Sequence, residues 1–511
     1  MSRIFRSSLL LALFFGIDKV LGLFRQILIA RQFGLTYDID VFNAANNIPD
    51  LLSALISGGA LGVALIPVLS EYMETKGRAD AWQLFARILN LAFLVTGAIA
   101  LLIFIFAKPL VSLIIAPGFP PEQQALTVEL MRLDLLAIII FSISGLLMAG
   151  LQANQHFLLP AMAPGLYNLG QIFGVSVLSP KTGLSLGPIT LPGFGMGIHG
   201  LVYGVILGAA LHLLIQVPGL IKYHFHWSPG LALRSPGVQQ VLVLLGPRVL
   251  TMFFTQVFFI ARDNLASRLG EGSVTALNYG WFIMQVPETL IGTTIAIVLL
   301  PTLSEYIARG EHERYRQTLN SAVRILLAFT IPAAALLAVG IHPLTTILGF
   351  DESGTMRVVW ATRVYLLGLT SHSLLEITVR SFYARQDART PLYAAALNAV
   401  AYIFFAVTFA REWGYLGIAF ANVTSFTLEL LLLLWLLNRN LPGLLRVGDT
   451  LFRAIVAAGL GALIVYAVMH WLPIPDLHKL GQIGLAIAAL ALGSLGVLPF
   501  ILKEIKTIIK L

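Results

Sequence analysis

Ionisable side chains standing inside otherwise apolar runs mark where this chain can do chemistry. At membrane depth such residues are costly, and they usually face a cavity or a partner. Near the N-terminus, Asp18, Lys19 and Arg25 interrupt an apolar stretch. Asp18 and Arg25 are seven positions apart, two helical turns, so a helix places them on one face. Lys19 falls about 100° around from Asp18. A later stretch carries Arg248, Gln256, Arg262 and Asp263. One reading is a cationic cavity built from Lys19, Arg25 and Arg248, with Arg262 a further substrate-binding candidate. Forked guanidinium donors there suit an anionic headgroup such as a phosphate or diphosphate. The plainer reading is local pairing, as of Arg262 with a nearby acid, or snorkelling of the long side chains to the interface.

Other polar residues in apolar runs give weaker signals. Glu376 and His372 lie a turn apart, and Glu429 stands in a later run. With Asp18, the two glutamates are candidates for gating or for coupling an ion, Na+ or H+. Polar pairs bridging helices are the alternative. Glu129, Arg132 and Asp134 are spaced to satisfy one another and read as structural. His212 and Gln216 share a stripe and read as helix contacts. Cysteine is absent, which removes disulfides, thiolate metal sites and Cys nucleophiles. There is no HExxH or Walker A motif and no convincing DxD-type cluster, so the expectation is no metal, no cofactor and no enzyme activity.

The elements that position these groups must be membrane helices. The 511 residues are 58% hydrophobic and 11% charged, against roughly 25% charged in a soluble domain. Apolar blocks such as 88–107 and 451–470 have the length of a spanning helix, not of a barrel strand. We therefore expect an all-α membrane protein of about fourteen transmembrane helices. They fall near 8–33, 45–72, 84–107, 124–152, 157–180, 196–221, 237–268, 275–306, 318–348, 357–384, 390–410, 415–438, 449–471 and 479–502. Arg3 and Arg6 ahead of the first run mimic a signal peptide, but Asp18 and Lys19 break the run and point to a retained helix. Basic residues concentrate in alternate loops, with Arg3, Arg6, Lys503 and Lys506 on the same side. The positive-inside rule then puts both termini in the cytoplasm. That topology accounts for the net charge of +8 without nucleic acid.

An internal repeat organises the chain. PVLSEY at 67–72 returns as PTLSEY at 301–306, LQANQHFLLP at 151–160 as FYARQDARTP at 382–391, and GIHGLVY at 197–203 as GYLGIAF at 414–420. Three ordered matches at similar offsets imply duplication of a unit of about six helices in parallel orientation. The expected division is an N-terminal lobe at 1–230, a C-terminal lobe at 231–440, and two additional helices at 441–511. Two such lobes are the plan of alternating-access transporters, and no filter-like sequence suggests a channel. Pro49, Gly58, Gly59, Gly62 and Pro67, and later Pro287 and Pro301, punctuate matching spans, as bends or as close-packing positions.

Several longer motifs carry a resemblance. KVLGLFRQILIARQFG (19–34), NIPDLL (47–52) and GGALGVALIPVLSEY (58–72) are similar to the opening of the MurJ (MviN) family of lipid II flippases. So are IIAPGF (114–119), HFLLPAMAPGLYN (156–168), GEGSVTALNYG (270–280) and RSFYARQDARTP (380–391). The resemblance covers essentially the whole chain. It implies a transporter of the multidrug/oligosaccharidyl-lipid/polysaccharide superfamily in the bacterial cytoplasmic membrane. Such a protein moves the undecaprenyl-diphosphate-linked peptidoglycan precursor to the outer leaflet and makes or breaks no covalent bond. The implied partners are that lipid-linked precursor, membrane lipids and proteins of cell-wall synthesis. The implied drive is a coupling ion or the membrane potential. Arg25 matches the family's arginine on the first helix, Lys19 replaces another, Asp40 matches an acidic residue of the second helix, and Asn168 and Gln256 match polar cavity positions. The chain departs from the pattern at Ser53, Ala54, Gly58 and Phe282, where charged residues are common in the family. Arg248 is extra. These departures leave open a flippase of another polyprenyl-linked oligosaccharide, or a cell-wall scaffold that transports nothing.

Overall fold

A computed structural model describes residues 3–56, 60–183, 185–186, 189–190, 192–385, 387, 389–440, 446–471 and 479–508. Gly58 and Gly59 lie outside the described residues, as do the side chains of Arg3, Arg6, Ser53, Ala54, Pro67, Arg248 and Pro301. The chain divides into two compact units, 1–272 and 273–511.

The first unit holds α1 (Arg3–Phe33), α2 (Tyr37–Ile56), α3 (Ala60–Thr75), α4 (Arg78–Pro109), α5 (Pro121–Ala153), α6 (Leu158–Phe173), α7 (Ile198–Leu214), α8 (Val217–Lys222) and α9 (Pro236–Ala266). A two-residue β pairing joins Ser185–Leu186 to Ile189–Thr190. Its core packs Leu65, Leu69, Leu84, Ile88, Leu146 and Leu151 around a cluster of edge-on rings, Trp82, Phe85 and Phe225. The helix expected to open the second lobe, α9, packs on α2 and α3 within this unit. Side chains beyond its last turn hold it there. Gly118 N donates to Ser267 Oγ at 3.2 Å, Gly272 N to Asp40 Oδ2 at 2.7 Å, and Tyr37 N to Glu271 Oε1 at 3.0 Å.

Glycine decides how α6 and α7 meet. Gly170 and Gly174 lie four apart on one helix, and Gly204 and Gly208 four apart on the other. A Cβ on Gly170 would stand 2.3 Å from the Gly208 Cα, and one on Gly174 2.7 Å from the Gly204 Cα. Backbones this close need small residues on both sides, the usual membrane solution where no hydrophobic drive joins helices.

The second unit holds α10 (Ser273–Glu288), α11 (Thr294–Ala308), α12 (His312–Thr345), α13 (Glu352–Leu367), α14 (Leu369–Ala384), α15 (Arg389–Asn440), α16 (Gly448–Trp471) and α17 (Lys479–Ile508). Pro287 lacks the N–H that would continue the α-helical ladder, and a π-helical turn, Thr289–Thr293, follows it before α11 resumes. At this proline the span thus changes helical register. The long α15 contains two expected spans, broken at Gly414, whose φ of 56° suits glycine. The last two helices pack on α12 through Leu336, Ala457, Val465, Ala489 and Val497.

Every expected apolar block coincides with helix, some split in two, consistent with about fourteen spans. Seven segments among the described residues are long and apolar enough to cross a bilayer on their own. The surface agrees. On α4, Phe93, Leu94, Leu101, Leu102, Phe104, Ile105 and Phe106 all face outward, an apolar exterior that suits hydrocarbon and not water.

Candidate functional site

The first unit encloses a cavity of about 310 Å³. Its walls come from α2 (Asn46, Pro49, Asp50), α5 (Asp134, Phe141), α6 (Pro164, Tyr167) and α7 (Val205, His212). The glycine contact fixes α6 against α7 and so sets Tyr167 opposite His212. A polar knot then fastens α7 to α5: Ser144 Oγ meets His212 Nδ1 at 2.6 Å and accepts from Gln216 Nε2 at 2.8 Å. His212 and Gln216 are thus committed to helix contacts.

Helix α1 lies along α6. Asn168 Nδ2 donates to Asp18 Oδ1 at 2.8 Å, which joins two of the sequence candidates directly. Gly22 faces this contact, and any side chain there would meet the Asn168 amide. Two turns along the same face, Arg25 comes within electrostatic reach of Asp50 and Tyr167. Its Nε is buried with no hydrogen-bond partner among the described residues. Lys19 is exposed. A half-buried guanidinium with a donor to spare, beside a polar cavity, is chemically an anion receptor.

The remaining candidates in this unit are tied to their neighbours. Asp40 is fully buried and accepts from the Gly272 backbone, so it fastens the turn after α9 to the start of α2. Gln256 donates to the Asp50 carbonyl at 3.3 Å. Arg262 Nε reaches Asp263 Oδ1 at 2.7 Å, its guanidinium lies 5.1 Å over the Phe259 ring, and Asn47 donates to the other Asp263 oxygen at 2.8 Å. Of the two readings of Arg262, the geometry carries the local pair. The Arg248 side chain lies outside the described residues.

Asp134 departs from expectation. Glu129 turns to His199 at 3.1 Å, and Arg132 donates to the Phe104 carbonyl at 3.1 Å while stacking on that ring. Neither serves Asp134, because at about 100° per residue position 134 lies about 140° from 129 and 160° from 132. Asp134 is 1% exposed, and neither carboxyl oxygen has a hydrogen-bond partner among the described residues. Sequence reasoning missed it by counting spacing without the angle.

In the second unit the candidates have partners. Glu376 is ion-paired with Arg380 one turn on. Glu288, which sequence reasoning passed over, lies within electrostatic reach of both and accepts from the Thr293 hydroxyl at 3.2 Å. Asn398 donates to Glu429 Oε2 at 2.5 Å, joining the two halves of α15. His372 meets Asn422 at 3.1 Å, between the Trp281 and Phe426 rings. Asn398 is the repeat counterpart of Asn168 by motif, and each holds an acidic residue.

Fold and site define a multi-pass α-helical membrane protein with a polar cavity and an underused arginine in its first unit. Comparison with known proteins makes this specific. The family model described as "Lipid II flippase MurJ" matches residues 29–482. The Burkholderia cenocepacia protein named "Lipid II flippase MurJ" is 31% identical over 92% of this chain and 90% of its own length. The Vibrio cholerae "Probable lipid II flippase MurJ" is 28% identical over 84% and 82%. A solved structure titled "Lipid II flippase MurJ, inward closed conformation" superposes with a TM-score of 0.78 at 22% identity, covering 97% of this chain and all of that one. An inward-facing multidrug resistance MATE transporter of the MOP superfamily gives 0.68 at 16% identity over 83% and 94%, which speaks to fold alone. This chain belongs to the MurJ family.

Proposed function

We propose that this chain flips lipid II, the undecaprenyl-diphosphate-linked peptidoglycan precursor, from the inner to the outer leaflet of the bacterial cytoplasmic membrane, for cell-wall biosynthesis. The observation that carries the reading is family membership over 29–482. The placement of Arg25 supports it. Flipping breaks no bond, so the protein's task is to bind a diphosphate and its sugars at membrane depth and to change which side has access. Arg25 is the first diphosphate ligand, with Lys19 and Arg248 in support, and Asp40, Asn168, Gln256 and Arg262 hold the helices that present it. Lys19 and Arg25 are separated by about 9 Å along the helix, a span that suits a diphosphate followed by its first sugar.

The lobes that alternate are the sequence repeats, 1–230 and 231–440, with 441–511 added, and both termini are cytoplasmic. Asp18, Glu376 and Glu429 are gating or ion-coupling positions, and Na+, H+ or the membrane potential drives the cycle. Membrane lipids and cell-wall synthesis proteins are the expected partners. The test is complementation of a lipid II flippase depletion by this chain, with a leaflet-accessibility assay for lipid II. Restored growth with outward lipid II is expected. Restored membrane levels of the protein without growth would reject the assignment. Phe282 and Ser53, uncharged where the family commonly carries arginine, favour one second reading, a flippase of another polyprenyl-linked glycan. Flipping of such a glycan without lipid II would establish it.

A further inference from the structure

The cavity of the first unit contains a group that its mechanism as an anion receptor does not use. Asp134 is 1% exposed, faces the cavity, and has neither oxygen hydrogen-bonded among the described residues. A bare carboxylate is strongly disfavoured in such surroundings, and no counter-charge is paired with it among the described residues. The groups facing it from the packed elements are Asp50 on α2, Tyr167 on α6 and His212 on α7. Arg25 on α1 stands beyond, beside Asp50. Elements α3, α4 and α8 give the cavity wall no titratable side chain among the described residues. His212 Nδ1 is already engaged with Ser144.

We propose that Asp134 is an exchangeable proton site, loaded when the cavity is closed and emptied when water enters, and that this exchange is coupled to transport. The coupling half rests on the flippase reading above. The ligand is a proton and not a metal cation because Arg25 places a fixed positive charge beside Asp50, which opposes a second cation, whereas a proton needs only one carboxyl oxygen. Asp50, lining the same cavity from α2 and exposed, supplies the path by which the proton leaves.

Infrared difference spectroscopy on the purified full chain in liposomes, with the bath pH stepped, reads this site without any transport assay. A protonated-carboxyl stretch that disappears as pH rises is expected in the wild type. It should be missing from Asp134→Asn and retained in the exposed-loop control Asp351→Asn. A titrating band unchanged in Asp134→Asn would overturn the proposal, and so would a band that responds to sodium chloride at fixed pH instead of to pH. In proteoliposomes carrying lipid II, an imposed pH gradient should change the wild-type flipping rate several-fold and the Asp134→Asn rate not at all. Equal gradient responses would remove the coupling. If the wild type flipped no lipid II, the flippase reading would fail while the infrared result still decided the proton site.

Discussion

The charges at the first unit's cavity and the acidic residues of the second unit live in opposite circumstances. In the second unit, Glu376 has Arg380, Glu429 has Asn398, and Glu504, 2% exposed, has Arg453 at 2.7 Å, Arg324 at 3.2 Å and the Thr450 hydroxyl at 3.0 Å. In the first unit, neither Asp134 oxygen nor the Arg25 Nε has a hydrogen-bond partner among the described residues, though all three atoms are buried. A satisfied charge inside a membrane protein holds helices together. An unsatisfied one is costly, and is retained where a ligand completes it. The difference teaches where to look: the Glu504 cluster of the second unit, which has no place in gating or coupling, should govern stability, and the charges around the first unit's cavity should govern transport. Each of the following changes tests that division.

Arg25→Ala has the largest expected effect. Losing a charge partner for a phosphate costs ~2–5 kcal/mol in recognition. Flipping should be abolished, with membrane level and thermal stability unchanged, because no intramolecular hydrogen bond of Nε is lost. Arg25→Lys should be partly active, since the charge remains but the fork does not. Normal growth on Arg25→Ala as the sole flippase would break the comparison on its functional side.

Glu504→Ala should behave in the opposite way. It leaves two arginines without their shared acid and loosens α16 and α17 from α12. The expected loss is about 3 kcal/mol, the low end for breaking a buried pair, because both arginines still reach water. Thermal unfolding in detergent should show it, with the flipping rate per folded molecule preserved. A stable variant with lost transport would mean that the second unit's charges are not structural after all.

Gly170→Ala probes the scaffold of the cavity rather than its charges. The added methyl meets the Gly208 backbone, which no side-chain rotation relieves, so α6 and α7 must separate. We expect about 1–3 kcal/mol of destabilisation, together with reduced transport, because Tyr167 and Asn168 ride on the displaced helix. The variant thus lies between the two classes. Stability and transport measured together should fall in parallel.

The helical class and the positions of the spans were legible because hydrophobicity along the chain follows bilayer thickness, and Asp18 and Arg25 were legible because ionisable residues there stand out against leucine. Pairing with Asn168 was not, since it depends on which helix lies beside α1. The placement of α9 in the first compact unit was equally hidden: the repeat marks where a gene segment was copied, while packing is settled by contacts such as Gly272 to Asp40. Asp134 was misread for want of an angle. The paired glycines of α6 and α7 were visible all along, and four-residue spacing on both helices of a neighbouring pair is a signal worth reading.

The smallest expected effect comes from a charge of the second unit that lies outside the spans. Asp351 caps α13: its carboxylate accepts from the Ser353 hydroxyl at 2.8 Å and from Gly354 N at 3.0 Å. The Ser353 hydroxyl first, and the Gly354 N–H after it, hold this carboxyl below the usual carboxylate range. A group whose acidity is raised by folding contributes stability above its unfolded pKa, near 3.8, and that contribution fades as pH falls through the folded value. Asp351→Ala should therefore cost about 0.5–1 kcal/mol at neutral pH, as loss of a helix cap does. The gap between the two melting curves should close progressively below about pH 4. Flipping should be unaffected at every pH, since the residue is exposed and distant in sequence from every transport candidate. A gap that stayed constant with pH would show that the loss came from the helix backbone and not from the charge, and a transport defect would give this capping charge a role beyond stability.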